Sequence, residues 1–200
     1  MLGLFMDQMQ ETSMRILDAA TKRFLHYGYQ KTAMNEIAKD LNMSTGNLYR
    51  FFPSKLDIAE AIAAMHEEQE LIAFEEIASA SKPAEQRLRE LFHRQLIYTS
   101  NQIAQNAKAY ELVQTIMRER PEYGENRLKR ERGILVKIYN DGVNQGEFTN
   151  NDDPEKLMTS LLWATSRFRF SYFHLLAPLE TLQRELDGVL DLAFKGIIKR

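Results

Sequence analysis

The sequence predicts an all-α protein of about nine helices, with a small three-helix head at the N-terminus and a larger helical body behind it. Apolar residues recur at spacings of three and four along nearly the whole chain, and no stretch alternates apolar and polar residues long enough to argue for a strand. The five prolines and nine glycines fall mostly where such helices would start or stop. Apolar residues make up 44% of the chain and charged residues 27%, the balance of a folded globular protein rather than a disordered one.

Taken in order, the first helix is expected from about Ser13 to Tyr27, with Ile16, Leu17, Ala20, Phe24 and Leu25 on one face. Ser13 would cap it, and Gly28 would end it in a left-handed conformation. Two short helices follow near Ala33–Leu41 and Thr45–Phe52, and Pro53 separates them from a long helix over about Ser54–Ser79. Past Ser81-Lys82-Pro83, Leu88, Leu91, Phe92, Leu96 and Ile103 mark a fifth helix. Tyr110, Val113, Ile116 and Met117 mark a sixth that stops before Pro121. A seventh spans about Glu122–Asn144 and closes at Gly146; Asp153 can cap an eighth with Pro154 at its first position. That eighth helix reads as apolar on nearly every face from Leu157 to Leu176, and a last helix runs from about Leu179 to Lys199. The expected domains are 10–53 and 54–200.

Residues 32–52 read T-A-M-N-E-I-A-K-D-L-N-M-S-T-G-N-L-Y-R-F-F. Thr32 and Ser44 each precede a helix and can accept hydrogen bonds from its free amides. Ile37, Leu41, Met43, Leu48 and Phe51 would join the two helices across a tight turn, with Ala38 small at their closest approach. Asn42 occupies the turn and tolerates positive φ. Such a pair fits a helix-turn-helix, whose second helix enters the major groove by its amino end, here Thr45-Gly46-Asn47. Gly46 would let the backbone approach DNA closely, and Asn47 suits the N6 and N7 of adenine. The same spacing serves equally for two capped helices within a bundle.

The wider segment F-L-H-Y-G-Y-Q-K-T-A-M-N-E-I-A-K-D-L-N-M-S-T-G-N-L-Y-R-F-F-P-S-K-L-D-I resembles the DNA-binding domain of the TetR (tetracycline repressor) family over residues 13–60. Two departures stand out. Leu41-Asn42-Met43 replaces the usual Ala-Gly-Val of the turn, which bears on the angle between the helices, and Phe51 replaces the usual Tyr or His. The resemblance implies double-stranded DNA as partner, with Thr32, Ser44, Thr45, Gly46, Asn47, Tyr49 and Lys55 as the contacting set. Within it Thr32, Tyr49 and Lys55 would touch phosphates. Seven basic residues against three acidic ones in Thr12–Leu56 agree with this, whereas the whole chain carries a net charge of −2. Any DNA contact must therefore be local.

The resemblance further implies that the body binds an effector and dimerises, presenting two heads to a palindromic operator. Its last two helices are apolar enough to pack on their own subunit and on a partner. The segment I-Y-N-D-G-V-N-Q-G-E-F at 138–148 is similar to the helix end and turn that precede the dimerisation helices. Phe74, His93, Tyr98, Tyr110, Met117, Trp163, Arg167 and Phe170 lie on helices that line the effector pocket in the family, and this aromatic set would suit a small, largely apolar ligand. The expected activity is transcriptional repression relieved by that ligand, in a cytoplasmic protein. The alternative is a regulator or adaptor that is constitutive or senses a protein.

Other classes find little support. The absence of cysteine excludes disulfides, thiolate-bound zinc and a cysteine nucleophile. Glu90-Leu91-Phe92-His93 has the E-x-x-H spacing of di-iron bundles without a second copy, and His66-Glu67-Glu68-Gln69-Glu70 lacks the second histidine of H-E-x-x-H. No nucleotide loop or serine-hydrolase elbow occurs, so no catalytic residue, metal or cofactor is expected. Met1–Gln10 lacks the pattern of a signal peptide, and no run approaches a membrane span.

Overall fold

The computed structural model describes residues 2–105, 107–169, 174 and 177–198. Among them are nine α-helices: α1 (Leu2–Tyr27), α2 (Met34–Asp40), α3 (Thr45–Phe51), α4 (Lys55–Ser79), α5 (Ala84–Gln105), α6 (Ala107–Glu119), α7 (Pro121–Asn144), α8 (Pro154–Ala164) and α9 (Leu179–Lys195). A short 3₁₀ turn, Ser166–Phe168, follows α8. The chain divides into two compact units, Met1–Glu68 with Asn106–Pro121, and Gln69–Gln105 with Glu122–Arg200. This division differs from a boundary at residue 53: α4 contributes to both units, and α6 belongs with the N-terminal one.

In the first unit, Ile16, Leu17, Ala20 and Phe24 form the buried face of α1. α1 begins at Leu2 and not at a Ser13 cap; the Ser13 hydroxyl instead donates to the Met9 carbonyl (3.0 Å). The cause is local, since no Gly or Pro interrupts residues 4–27 and good helix formers such as Gln8, Met9, Gln10 and Glu11 carry the helix through. α1 does end at Gly28, whose φ is 95° and whose amide donates to Phe24. α6 packs on α1. Lys108 at the start of α6 bonds the His26 carbonyl, and Arg120 just past its end pairs with Asp57 and Glu60 of α4.

The second unit has one large core built from α4, α5, α7, α8 and α9, with Phe74, Leu88, Leu91, Leu96, Leu135, Tyr139, Leu186 and Phe194 among its members. The segment 138–148 is the seam of this core. Tyr139 stacks on Phe148 and donates its hydroxyl to the Thr149 carbonyl (2.6 Å). Glu147 Oε2 accepts the Ala84 amide (2.7 Å), holding the first turn of α5. A Cβ at Gly142 would fall 2.7 Å from the Ala84 Cβ and closer still to the Phe148 ring, so only glycine lets α7 pass here.

Asp153 caps α8 through the Lys156 amide with Pro154 in the first turn, but the expected helix over 157–176 is not continuous. α8 stops at Ala164, where the Thr165 hydroxyl donates back to the Leu161 carbonyl (2.8 Å) and the backbone tightens into the 3₁₀ turn. Tyr172, Leu175 and Leu176, expected on that helix, lie outside the described residues. The break turns Arg169 inward, where its guanidinium forms a two-pronged ion pair with the fully buried Glu131 of α7. Removing one partner strands the other charge, so Arg169→Leu is expected to cost about 3–5 kcal/mol. Chemical denaturation checks this, and the paired change Glu131→Gln with Arg169→Leu should recover much of the loss.

Candidate nucleic-acid interface

α2 and α3 are held together by Ile37, Ala38 and Leu48, all buried. The turn between them is closed by backbone bonds from Leu41 and Met43 to Ala38 and from Asn42 to Lys39. Asn42 has φ 53°, the left-handed conformation that a glycine normally supplies, so the Leu41-Asn42-Met43 replacement still makes the tight turn. Ser44 Oγ accepts the Asn47 amide (3.1 Å) and starts α3.

The amino end of α3 is turned outward. Ser44 and Gly46 are exposed, Thr45 and Asn47 half-exposed, and Tyr49 has its ring about half in solvent. Nothing within 4 Å would meet a Cβ at Gly46, and its φ is not positive, so neither packing nor backbone geometry within the chain calls for glycine there.

Two expected contacts have other tasks. Thr32 does not cap α2: the N-cap is Ala33, whose amide is taken by Glu36 Oε2 (2.8 Å). Thr32 is 2% exposed and its hydroxyl donates to the Gly28 carbonyl (3.0 Å), which fixes the loop between α1 and α2 from within. Lys55 Nζ donates to the carbonyls of Tyr29 (2.7 Å) and Thr32 (2.8 Å) and lies 4.3 Å from the centroid of the Tyr29 ring. Burial lowers its pKa from the usual lysine value. Lys55 thus latches the first turn of α4 to the α1–α2 loop. Lys55→Met is expected to leave two carbonyls without their donor and destabilise the head by about 1–3 kcal/mol, measured by thermal unfolding.

Charge is distributed unevenly over the head. Arg23 of α1 is bidentate to Asp40 (2.5 and 2.9 Å) and 3.4 Å from Glu36, clamping α1 to α2. The Arg23 guanidinium holds the Asp40 carboxyl below its usual pKa, and Lys22 pairs with Asp18. Lys31, Lys39 and Arg50 are exposed and form no ion pair among the described residues. Sequence reasoning counted them only toward the net charge; their exposure singles them out as cations open to phosphate.

The structure places the residues expected around an effector on several elements. Phe74 is in the core of the second unit, and His93 Nε2 is 2.8 Å from Asp187 of α9. Tyr98 is half-buried, its phenol pKa raised by burial and by the nearby Glu70 charge and partly offset by Arg127. Arg167 pairs with Glu185 (3.0 Å), and Met117 sits on α6 in the other unit. Trp163 is 62% exposed. Tyr110 lies on α6 but its side chain is outside the described residues, as is Phe170. Among the described residues no group of three or more His, Asp or Glu side chains gathers as metal ligands would, and no helix is long and apolar enough to cross a membrane.

Comparison with known proteins agrees with this arrangement. Residues 16–62 match the family model "Bacterial regulatory proteins, tetR family", and residues 84–190 match "Tetracyclin repressor-like, C-terminal domain". An uncharacterised helix-turn-helix transcriptional regulator of Bacillus subtilis, YhgD, is 28% identical over 91% of this chain and 94% of its own length. The structure of Salmonella enterica GusR is 30% identical with a TM-score of 0.60, over 90% of this chain and 96% of that one. The Bacillus subtilis regulator FadR, solved in complex with stearoyl-CoA, shares the fold at 21% identity and a TM-score of 0.68, over 92% and 98% of the two chains. With the helix-turn-helix in place and both halves matched, this chain belongs to the TetR family of DNA-binding transcriptional regulators.

Proposed function

We propose that this protein is a homodimeric repressor that binds a palindromic operator through α3 and is released by a small, largely apolar effector. The observation that carries the DNA half is the outward amino end of α3, with open space at Gly46 and Asn47 beside it. Thr45 and Asn47 read base edges, and Tyr49, Lys31, Lys39 and Arg50 serve phosphates. Thr32 and Lys55 act one step back, by fixing the loop that presents α2. Dimerisation is supported by two large apolar side chains left in solvent on the last two helices, Trp163 and Leu192, which is 72% exposed.

Release is supported by continuity. α4 is a single 25-residue helix whose residues fall in both units. α6 is joined through the chain to α5 and α7 of the second unit, yet it is pinned to α1 and α4 of the first. A ligand that shifts either element changes how the head is held. Linkage requires such a ligand to bind the DNA-free form more tightly and DNA to weaken its binding by the same factor. FadR's crystallisation with stearoyl-CoA supports a ligand with a long apolar portion on this fold. Fluorescence anisotropy on duplexes from the DNA flanking the chain's own gene, with and without ligands found by thermal shift, is the test. A ligand that binds equally well with and without operator would leave a constitutive regulator.

A further inference from the structure

Among the described residues of the second unit, two buried side-chain acceptors have no hydrogen-bond partner. Glu70 of α4 is 5% exposed; its Oε1 accepts from Arg94 Nη2 (3.0 Å), but its Oε2 has no hydrogen-bond partner among the described residues. Gln95 of α5 is 4% exposed; its Nε2 donates to Thr99 Oγ1 (3.2 Å), and its Oε1 is also without a partner. Gln95 and Tyr98 share one face of α5 at i, i+3, and the Tyr98 phenol is near enough to Glu70 to feel its charge. Leu71, next to Glu70 on α4, Phe74, one turn further along it, and Leu91 and Leu96 of α5 belong to the hydrophobic core of this unit.

Buried polar groups are nearly always bonded, and a chain retains an unbonded one at a cost in stability. Another buried carboxylate of this unit shows the alternative, for both oxygens of Glu131 are taken by Arg169 and that pair is closed. What is left open at Glu70 and Gln95 is of one kind. A carboxylate oxygen and an amide carbonyl only accept, so the missing partner must donate.

Resting on the reading that the helical body takes a small effector, we propose that this effector presents a hydrogen-bond-donating head, a protonated amine above all, to Glu70 and Gln95, with its apolar body among the core side chains of α4 and α5. A ligand ending in a carboxylate brings no donor to these acceptors and sets like charge against Glu70, so it binds more weakly than the amine even with Arg94 paired to Glu70. The charge of Glu70 favours the amine over a neutral hydroxyl.

The experiment is calorimetric titration of the full chain with matched amine, alcohol and carboxylate ligands on phenylbutyl, octyl and decalin skeletons. At least one amine is expected to bind about tenfold or more tightly than its alcohol, and more tightly than its carboxylate. Glu70→Gln should erase the preference for amine over alcohol. Gln95→Met should weaken the amine yet raise the melting temperature of the free protein by about 2–4 °C, because an unbonded acceptor is removed. A purely structural Gln95 would lower it. Carboxylates binding as tightly as amines, no amine binding on any skeleton, or an amine preference that survives Glu70→Gln each overturn the proposal. Because these readouts contain no DNA, an amine that binds through Glu70 but leaves operator binding unchanged counts against ligand release and not against the site.

Discussion

Gly46→Ala is expected to lower operator affinity by roughly 100-fold while leaving the protein folded and no less stable. The substitution places a methyl group where nothing lies within 4 Å and where φ is already compatible with alanine. Alanine is also the better helix former, by up to about 1 kcal/mol in a helix interior and less in a first turn. On the proposed docking of α3, a methyl there would hold its amide end off the DNA and lengthen the bonds proposed for Thr45 and Asn47. A loss of about 1–1.5 kcal/mol in each of two half-sites gives the stated factor. Circular dichroism and thermal melting establish the unchanged fold, and anisotropy reads the affinity. Unchanged affinity in a folded variant would move the DNA contact away from the amino end of α3.

The second large effect is expected from Trp163→Glu combined with Leu192→Glu. Both side chains are in solvent in the single chain, so the double variant should fold normally and sediment as a monomer. A single head on a half-site loses the gain from tethering two binding events, and operator affinity should fall by roughly 100–1,000-fold. A charge at Leu161 would act differently, because Leu161 belongs to the chain's own core and its replacement would unfold the second unit. Analytical ultracentrifugation separates the cases. A folded dimer in the double variant would place the interface on another surface.

The head was legible in the sequence because its signals are local. The Ser44 cap, the Asn42 turn, the Gly28 stop and the apolar set around Ile37 and Leu48 each depend on residues within a few positions. What sequence reasoning missed depends on partners far along the chain. Thr32 looked like a cap because of its position before α2, but a carbonyl four residues back holds its hydroxyl and Glu36 caps in its stead. Lys55 looked like a free cation until the fold brought the Tyr29 and Thr32 carbonyls to it. Arg169 interrupted an apolar run without indicating that Glu131, 38 residues away, would draw it inward and accompany a break in the helix. Trp163 is expected at a pocket by its type and its helix, and only the fold shows how much of it is exposed in the single chain. Periodicity reports which residues share a face, but not which of two apolar faces is left for a partner.

Selection of bound duplexes from a randomised library tests most directly the proposed sequence-specific DNA recognition by α3 in a two-headed protein. Enrichment of an inverted repeat is expected, with Asn47→Ala relaxing one position in each half-site and Lys55→Met weakening all sequences alike. Recovery of no enriched sequence, with random DNA bound as tightly as any selected duplex, would contradict it.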